Sequence, residues 1–349
     1  MKSTTQPVKN VSFLTGFFIL LLTVLLAGCD SRPKGLVSYS GYTMGTTYHV
    51  TIVADEEVSI TQGKIDELLA DVNQTFSTYI ETSEVSLLNE NKTGEWQTLS
   101  PALISLVAAS QYISDASQGA YDITVAPLVD LWGFGPSFKP DNLPNQADID
   151  KVMPNIGYHK ITVNQEKATL RKLSPNVHLD FSSIAKGYGV DEVANYIESK
   201  GFVNYMVEVG GEMRLRGHNP DGMKWRIAVE KPDASKRSIQ RVIKITDTAV
   251  ATSGGYRNFF IKDGVEYSHT LDPKTGYPVQ HHLASVTVLS DKCMTADAWA
   301  TAFMVLGNKK GYDLAIEHKL AVLFIVKEGP EYHEMMTPEF KRLTQEVVI

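Results

Sequence analysis

Apolar positions recur every three or four residues in some segments of the chain and every second residue in others. The first pattern predicts helices over residues 60–76 and 101–116, with Ser100 as the cap of the second helix. The second pattern predicts a strand over residues 48–53. Further strands are predicted near residues 160–164, 168–171, 203–209, 225–229, 239–245 and 284–289, and further helices near 183–199, 295–306 and 309–318. Because the strands come in groups and do not alternate strictly with helices, the pattern favours an α+β fold over a doubly wound parallel sheet.

The N-terminal segment has the order of a secretory signal. Lys2 and Lys9 precede an apolar run over residues 11–26, and the run closes on Leu-Ala-Gly-Cys, which ends at Cys29. This ending resembles the lipobox of bacterial lipoproteins, in which the cysteine is acylated and the bond before it is cut. An uncleaved signal anchor is the alternative, because the run is near the ~18 residues at which a transmembrane helix becomes plausible.

The lipobox interpretation divides the chain into three parts. Residues 1–28 are expected to be a signal peptide, residues 29–39 a lipid anchor and short tether, and residues 40–349 the functional domain. Several acyl chains hold a protein stably at a membrane, so we expect membrane attachment through Cys29. By resemblance to the lipoprotein sorting rules of Gram-negative bacteria, Asp30 directly after the cysteine suggests retention at the inner membrane, on its periplasmic side.

The charge balance limits the classes of partner. The chain has 349 residues with a formal net charge of −7, and removal of residues 1–28 takes away two lysines and makes the chain still more acidic. An acidic surface argues against nucleic acid as a partner. If Cys29 is acylated, Cys293 has no cysteine with which to pair, and we expect it to be a buried small apolar residue.

Several common active-site signatures are missing from the sequence. It contains no Walker A loop, no G-x-G-x-x-G, no G-x-S-x-G elbow, no H-E-x-x-H and no paired C-x-x-C. The candidate chemistry is therefore confined to three clusters of glycine, acidic and hydroxyl residues.

The first cluster reads Asp-Phe-Ser-Ser-Ile-Ala-Lys-Gly-Tyr-Gly over residues 180–189. We interpret residues 177–180 as the end of a strand and Ser182 or Ser183 as the cap of the following helix. The amides of the first turn would then face outward and suit a phosphate, and Lys186 adds a positive charge. The alternative is an ordinary capped helix whose glycines serve packing.

The second cluster lies on the helix predicted from residue 295. Asp297 and Thr301 are four residues apart and share a helix face, so they offer two hard oxygen atoms to Mg²⁺. Alternatively, Asp297 complements the helix N-terminus and Thr301 is a surface residue.

The third cluster combines residues 248–257 with residues 267–278. The composition of residues 272–276 predicts a turn, and His269 stands just before it. Imidazole titrates near neutral pH, so His269 is a candidate general base, with a turn-flanking residue as the alternative.

Taken together and in order, eight short motifs resemble those of the ApbE-like FAD:protein FMN transferases. They lie at residues 44–46, 76–79, 120–127, 180–187, 208–212, 251–255, 269–278 and 295–301. The resemblance runs from about residue 40 to the C-terminus. It implies an α+β, T-fold-related unit over residues 40–349, with one compact body or two lobes around a flavin cleft.

The resemblance also implies roles for individual residues. The FAD cleft would be contacted by Met44, Tyr79, Ala120, Tyr121, Asp122, Asp180, Lys186 and Leu271. A magnesium ion would be held by Asp297 and Thr301, with Ser183 contributing through its backbone carbonyl. His269 matches the histidine usually proposed as the base.

The implied reaction moves FMN from FAD to a threonine of membrane redox proteins, such as subunits of the Nqr and Rnf complexes, and releases AMP. Two alternatives use the same residues. One is an Mg²⁺-dependent pyrophosphatase that splits FAD into FMN and AMP with water as the nucleophile. The other is a flavin-binding lipoprotein without catalytic activity.

Overall fold

The computed structural model describes residues 35–136, 143–233, 238–255, 259–262 and 264–344. The signal peptide, Cys29 and the first part of the tether lie outside these residues. Within the described ranges, no helix combines the length and the apolar character that crossing a bilayer requires.

The strands and helices are numbered in chain order. The strands are β1 (Gly35–Thr43), β2 (Thr46–Ala54), β3 (Gln97–Thr98), β4 (Ile161–Asn164), β5 (Thr169–Lys172), β6 (Tyr205–Val209), β7 (Glu212–Arg216), β8 (Trp225–Glu230), β9 (Ile239–Ile245), β10 (Thr248–Gly254), β11 (Phe259–Lys262), β12 (Val265–Ser268), β13 (Leu283–Ser290), β14 (Ala321–Glu328) and β15 (Glu331–Met336). The helices are α1 (Gln62–Phe76), α2 (Glu84–Glu90), α3 (Pro101–Ala116), α4 (Ala126–Leu131), α5 (Gln146–Val152), α6 (Ala185–Ser199), α7 (Cys293–Glu317) and α8 (Pro338–Thr344).

An eight-stranded antiparallel sheet forms the centre of the molecule. Its strand order is β1-β2-β6-β7-β10-β13-β14-β15. Both faces of the sheet are covered. Strand β14 illustrates this, since successive side chains of a strand point to opposite faces of its sheet. Phe324 packs in the core with Trp299 and Phe303 of α7, whereas Leu323 packs on the other face with residues of β8, β9 and α8.

Helices α6 and α7 lie against each other on one face of this sheet. Gly187 permits the close approach, because a Cβ atom at this position would lie 2.5 Å from the Cys293 carbonyl oxygen. The two helices therefore meet near their N-terminal ends, where the residues of the first two sequence clusters come together.

The α+β class is confirmed, and several element boundaries agree closely with the sequence pattern. Helix α3 begins at Pro101, and the Ser100 hydroxyl accepts a hydrogen bond from the Leu103 amide as an N-cap does. The helices predicted near 295–306 and 309–318 correspond to the two parts of α7, which Gly307 interrupts with a φ of 78°. Cys293 is buried, as expected.

Two local predictions are wrong. Residues 177–180 belong to no strand. Helix α6 begins only at Ala185, and no side chain caps it. The reason is an alternative local hydrogen bond, because Asp180 Oδ1 accepts from the Ser182 amide at 2.7 Å and closes a turn before the helix.

Candidate active site

A cavity of 430 Å³ opens where the loops after α3 and β12 meet the ends of β7 and β10 and the N-terminal parts of α6 and α7. This volume lies within the usual range for small-molecule sites. The described residues that line the cavity are Tyr79, Ala120, Tyr121, Asp122, Val125, Val129, Phe134, Asp180, Ser182, Ser183, Lys186, Glu212, Thr252, Ser253, Gly254, His269, Thr270, Leu271, Pro273, Asp297, Thr301 and Val305.

One end of the cavity contains a lysine between two buried carboxylates. The Lys186 Nζ atom lies 3.6 Å from Glu212 Oε1 and 3.7 Å from Asp297 Oδ2. Both carboxylate side chains are almost fully buried, whereas the lysine side chain keeps 27% of its surface exposed. With both carboxylates ionised, the three charges sum to a net negative charge, and this arrangement favours a cation.

The acid–base properties of these groups follow from their burial. Burial raises the pKa of Asp297, although Lys186 and the Gly187 amide oppose the shift. Burial also raises the pKa of Glu212, and the Asp297 charge adds to this effect while Lys186 counteracts it. Burial on its own would lower the pKa of Lys186, but attraction to Asp297 and then to Glu212 outweighs it and raises that pKa, so the ammonium stays charged.

The junction of α6 and α7 fixes the position of Asp297. Asp297 Oδ2 accepts a hydrogen bond from the Gly187 amide at 3.1 Å. One turn further along α6, Asp191 accepts from the amides of Cys293 and Met294, both at 3.0 Å, and so satisfies the first two amides of α7. These contacts join the helix that carries Lys186 to the helix that carries Asp297. The Gly187 amide is thus bound to a side chain of the neighbouring helix.

Several side chains with hydroxyl groups line the same cavity as Asp297. Thr301 lies one helical turn after Asp297, and its Oγ1 is 3.4 Å from Ser253 Oγ of β10. The Ser183 hydroxyl donates to the Tyr121 hydroxyl at 3.1 Å. With its hydroxyl engaged in this way, Ser183 can offer its backbone carbonyl, as the resemblance implies.

Asp122 is a further acidic residue of the cavity wall, and backbone amides hold its carboxylate. Asp122 Oδ1 accepts from the Thr124 amide and hydroxyl, and Oδ2 accepts from the Tyr158 amide at 2.8 Å. Burial raises the pKa of Asp122, and these hydrogen bonds oppose the shift. Asp122 therefore fixes the backbone of residues 120–122. Ala120 in this segment is buried and lines the cavity.

His269 lies at the cavity wall directly after β12. Its ring packs edge-on against Phe134, with 6.4 Å between the ring centroids. The following turn is formed as predicted, because Asp272 Oδ1 accepts from the Lys274 amide and the Asp272 carbonyl accepts from the Gly276 amide. Leu271 forms an isolated bridge with Pro278 and is buried. Tyr79 stands at the cavity wall with 67% of its surface exposed.

The cavity brings together the predicted site residues of the described chain, with one exception. Met44 is not among the described lining residues. It occupies the two-residue turn between β1 and β2 with a φ of 50°, and its side chain packs against the core beside Gly189. The FAD contact implied for Met44 stays a prediction. Cys29 lies outside the described residues.

Glu212 is the residue that the sequence analysis missed, although its motif was recognised. Val209 and Glu212 are directly opposite each other across a Gly-Gly hairpin, so both side chains point to the same face of the sheet. Val209 is buried, which places Glu212 inside as well. Glu208 points the other way and pairs with His49 at 2.7 Å. The alternation of side chains along the two strands of the hairpin was the signal that could have shown which of the two glutamates is buried.

The donor set fits a hard cation with few protein ligands. Among the described residues, no three His, Cys, Asp or Glu side chains are grouped as a metal site. One carboxylate, neighbouring hydroxyls and a carbonyl remain, which suits Mg²⁺ because this ion takes its other ligands from water and substrate phosphates. In addition, the buried Glu212 Oε2 atom has no hydrogen-bond partner within the described part of the chain, so this end of the cavity retains an unused acceptor.

Known proteins resemble this chain in sequence. The sequence profile of the ApbE family matches residues 44–324. A Vibrio cholerae protein named FAD:protein FMN transferase is 44% identical over 321 residues, which cover 91% of this chain and 95% of the relative. An Escherichia coli K12 protein of the same name is 36% identical over 343 residues, with 95% and 97% coverage.

Solved structures show the same relationship. The flavin transferase ApbE from Vibrio cholerae superposes with a TM-score of 0.81 at 42% identity and covers 88% of this chain and 99% of its own. The apo form of the Pseudomonas stutzeri flavinyl transferase ApbE also has a TM-score of 0.81, at 36% identity, with 88% and 96% coverage.

Proposed function

We propose a reaction for this chain, which belongs to the ApbE family and is an FAD:protein FMN transferase. In this reaction the enzyme transfers FMN covalently to a threonine hydroxyl of its target proteins, releases AMP and uses Mg²⁺. The observation that carries the finer parts of this proposal is the charged end of the cavity. Lys186, Asp297 and neighbouring hydroxyls there suit a diphosphate accompanied by a divalent cation.

The reaction exchanges one phosphorus–oxygen bond for another. The threonine oxygen attacks the phosphorus atom that bears riboflavin, the bond to the bridging oxygen breaks, and AMP leaves with that oxygen. During this exchange, negative charge on the phosphate oxygens and on the departing AMP needs to be neutralised. Lys186 supplies a fixed positive charge for this purpose, because its pKa is raised and it stays protonated.

His269 is the proposed proton acceptor. The attacking hydroxyl loses its proton, and an imidazole at the cavity wall can take it within hydrogen-bonding reach of a docked target. Docking of the target protein aligns the threonine with the phosphorus atom and keeps water away from it.

The residues that would hold Mg²⁺ are Asp297, Thr301 and the Ser183 carbonyl. When bound, the ion would neutralise phosphate charge and stabilise the leaving group. Tyr79, Ala120, Tyr121, Asp122, Asp180 and Leu271 would contact FAD along the rest of the cavity.

The location of the enzyme is also a proposal. The N-terminal motif supports cleavage before Cys29, acylation of its thiol and attachment to the periplasmic side of the inner membrane. This position would bring the cavity to membrane-bound flavin acceptors, and Nqr-like and Rnf-like subunits are the proposed targets.

The test combines purified enzyme, FAD, Mg²⁺ and a threonine-bearing acceptor protein. We expect the intact mass of the acceptor to increase by one FMN, in an amount that matches the AMP released. Release of FMN and AMP at an undiminished rate without acceptor would instead indicate a pyrophosphatase. FAD that stays intact under every condition would indicate a flavin-binding protein without catalytic activity.

A further inference from the structure

Lys186 faces two carboxylates and is close to neither of them. Its distances to Glu212 and Asp297 are 3.6 and 3.7 Å, and its third contact, the Ser182 carbonyl, is 3.4 Å away. A charge-assisted hydrogen bond is usually about 2.7–2.9 Å long. The exposed pair Lys64–Glu67 reaches 2.7 Å in the same molecule. The Lys186 ammonium is therefore shared between two carboxylates.

The two carboxylates differ in how well they are satisfied. Asp297 Oδ2 already accepts the Gly187 amide. Glu212 Oε2 is buried and has no hydrogen-bond partner among the described residues, so Glu212 can accept the ammonium more closely than it does here. A buried carboxylate without a full partner is costly, and a closer ammonium reduces this cost.

The length of the lysine side chain allows such a shift. Lys carries its ammonium on a flexible four-carbon stem. Because both carboxylate atoms lie within 3.6–3.7 Å of Nζ, small changes of the side-chain torsions move the ammonium from one partner toward the other.

We propose that Glu212 is a positioning residue for Lys186, which keeps the ammonium at the phosphate end of the cavity when a divalent cation binds Asp297. This inference rests on the proposed cation site. A cation at Asp297 repels the ammonium, and among the described residues Glu212 is the other carboxylate partner of Lys186. With Glu212 as the partner of Lys186, this end of the cavity can hold the cation and the ammonium at the same time.

The test is a double-mutant cycle on cation affinity in the full chain, purified in detergent without FAD. Mn²⁺ alone is the probe, and its binding is read from the electron paramagnetic resonance signal of the free ion. Glu212→Gln should weaken Mn²⁺ binding by about tenfold or more, the size usual for a residue that supports a metal ligand. In the Lys186→Met background the same substitution should change the affinity by less than about threefold, because no ammonium then needs positioning.

Two further variants control this cycle. Glu67→Gln removes a carboxylate from an exposed lysine pair far from the cavity and should leave Mn²⁺ affinity unchanged. Glu212→Asp keeps the charge with a shorter reach and should weaken binding less than Glu212→Gln. If Glu212→Gln does not fold, Glu212→Asp carries the test, and its effect must likewise disappear with Lys186→Met.

The outcomes separate this role from the cation site itself. Unchanged affinity in Glu212→Gln, or an equal loss in both Lys186 backgrounds, would overturn the positioning role, and the equal loss would make Glu212 a direct ligand. An unmodified chain that binds no Mn²⁺ would refute the proposed cation site and the role of Glu212 with it.

Discussion

Replacement of Asp191 with alanine should destabilise the protein strongly, because this carboxylate joins the two helices of the active site. Asp191 is 5% exposed and accepts two backbone amides of α7 at 3.0 Å, and Arg214 Nη1 lies 3.3 Å from it. A hydrogen bond to a charged group contributes about 1.5–3 kcal/mol. The contributions do not simply add, because the contacts share one carboxylate. We expect the free energy of unfolding to fall by about 3–5 kcal/mol, as it does when one partner of a buried ion pair is removed.

Asparagine at this position provides a graded comparison. Asp191→Asn keeps the shape and one acceptor oxygen, but it turns an N–H group toward the second amide, so its loss should be about half that of alanine. Arg214 retains Glu198, 3.0 Å away, in both variants. Transfer activity of the folded variants should fall too, because the junction sets the distance between Lys186 and Asp297.

The assay is urea denaturation followed by circular dichroism, with the free energy of unfolding extrapolated to water. Asp71→Ala is the matched control, because Asp71 is an exposed residue of α1 and its loss should change stability by less than about 0.5 kcal/mol. A loss below about 1 kcal/mol in Asp191→Ala would refute the reasoning, because it would show that the two amides need no carboxylate partner.

Three further predictions concern other parts of the chain. Asp297→Ala should lower the FMN transfer rate by about 10²–10³ while the circular dichroism spectrum stays unchanged, and full activity would refute the cation assignment. Gly307→Ala should cost about 1–3 kcal/mol in urea denaturation, because Gly307 has a φ of 78° and a Cβ atom there would meet the His281 ring at 3.2 Å; an unchanged midpoint would contradict this. Burial, with Lys92 nearby, lowers the pKa of His178 from 6.5 to about 4. Between these values the unfolded chain binds a proton that the folded chain does not, so stability should fall as the pH drops. His178→Gln should reduce this fall by about 1 kcal/mol after allowance for the partial exposure of the ring, and identical pH profiles would refute the effect.

The local parts of the fold were predictable because short-range chemistry determines them. Helix α3 starts where Ser100 and Pro101 combine a side-chain cap with a fixed φ, and both signals are visible in the sequence. The turn after His269 follows from Asp272 and Gly276 in the same way. These features need no information about distant parts of the chain.

The errors arose where distant residues compete with local signals. Ser183 is of a residue type that commonly caps helices, but its hydroxyl binds Tyr121, which is 62 positions away in the chain. The packing of Met44 against Gly189 likewise joins distant parts of the chain, and the motif alone does not indicate it. The contact of Asp191 with Cys293 spans 102 positions and has no local signature.

The candidate site was predictable as a set of motifs and not as a geometry. The shared helix face of Asp297 and Thr301 follows from their spacing. The sharing of Lys186 between Asp297 and Glu212 depends on how α6, α7 and β7 pack together, and only the structure shows it.

The intact mass of an acceptor protein after incubation with the enzyme, FAD and Mg²⁺ tests the central claim most directly. A matched acceptor in which the target threonine is replaced by valine serves as the control. The account predicts one added FMN per threonine-bearing acceptor and none on the valine variant. An unmodified threonine-bearing acceptor, in a mixture where FAD is nevertheless split into FMN and AMP, would contradict it.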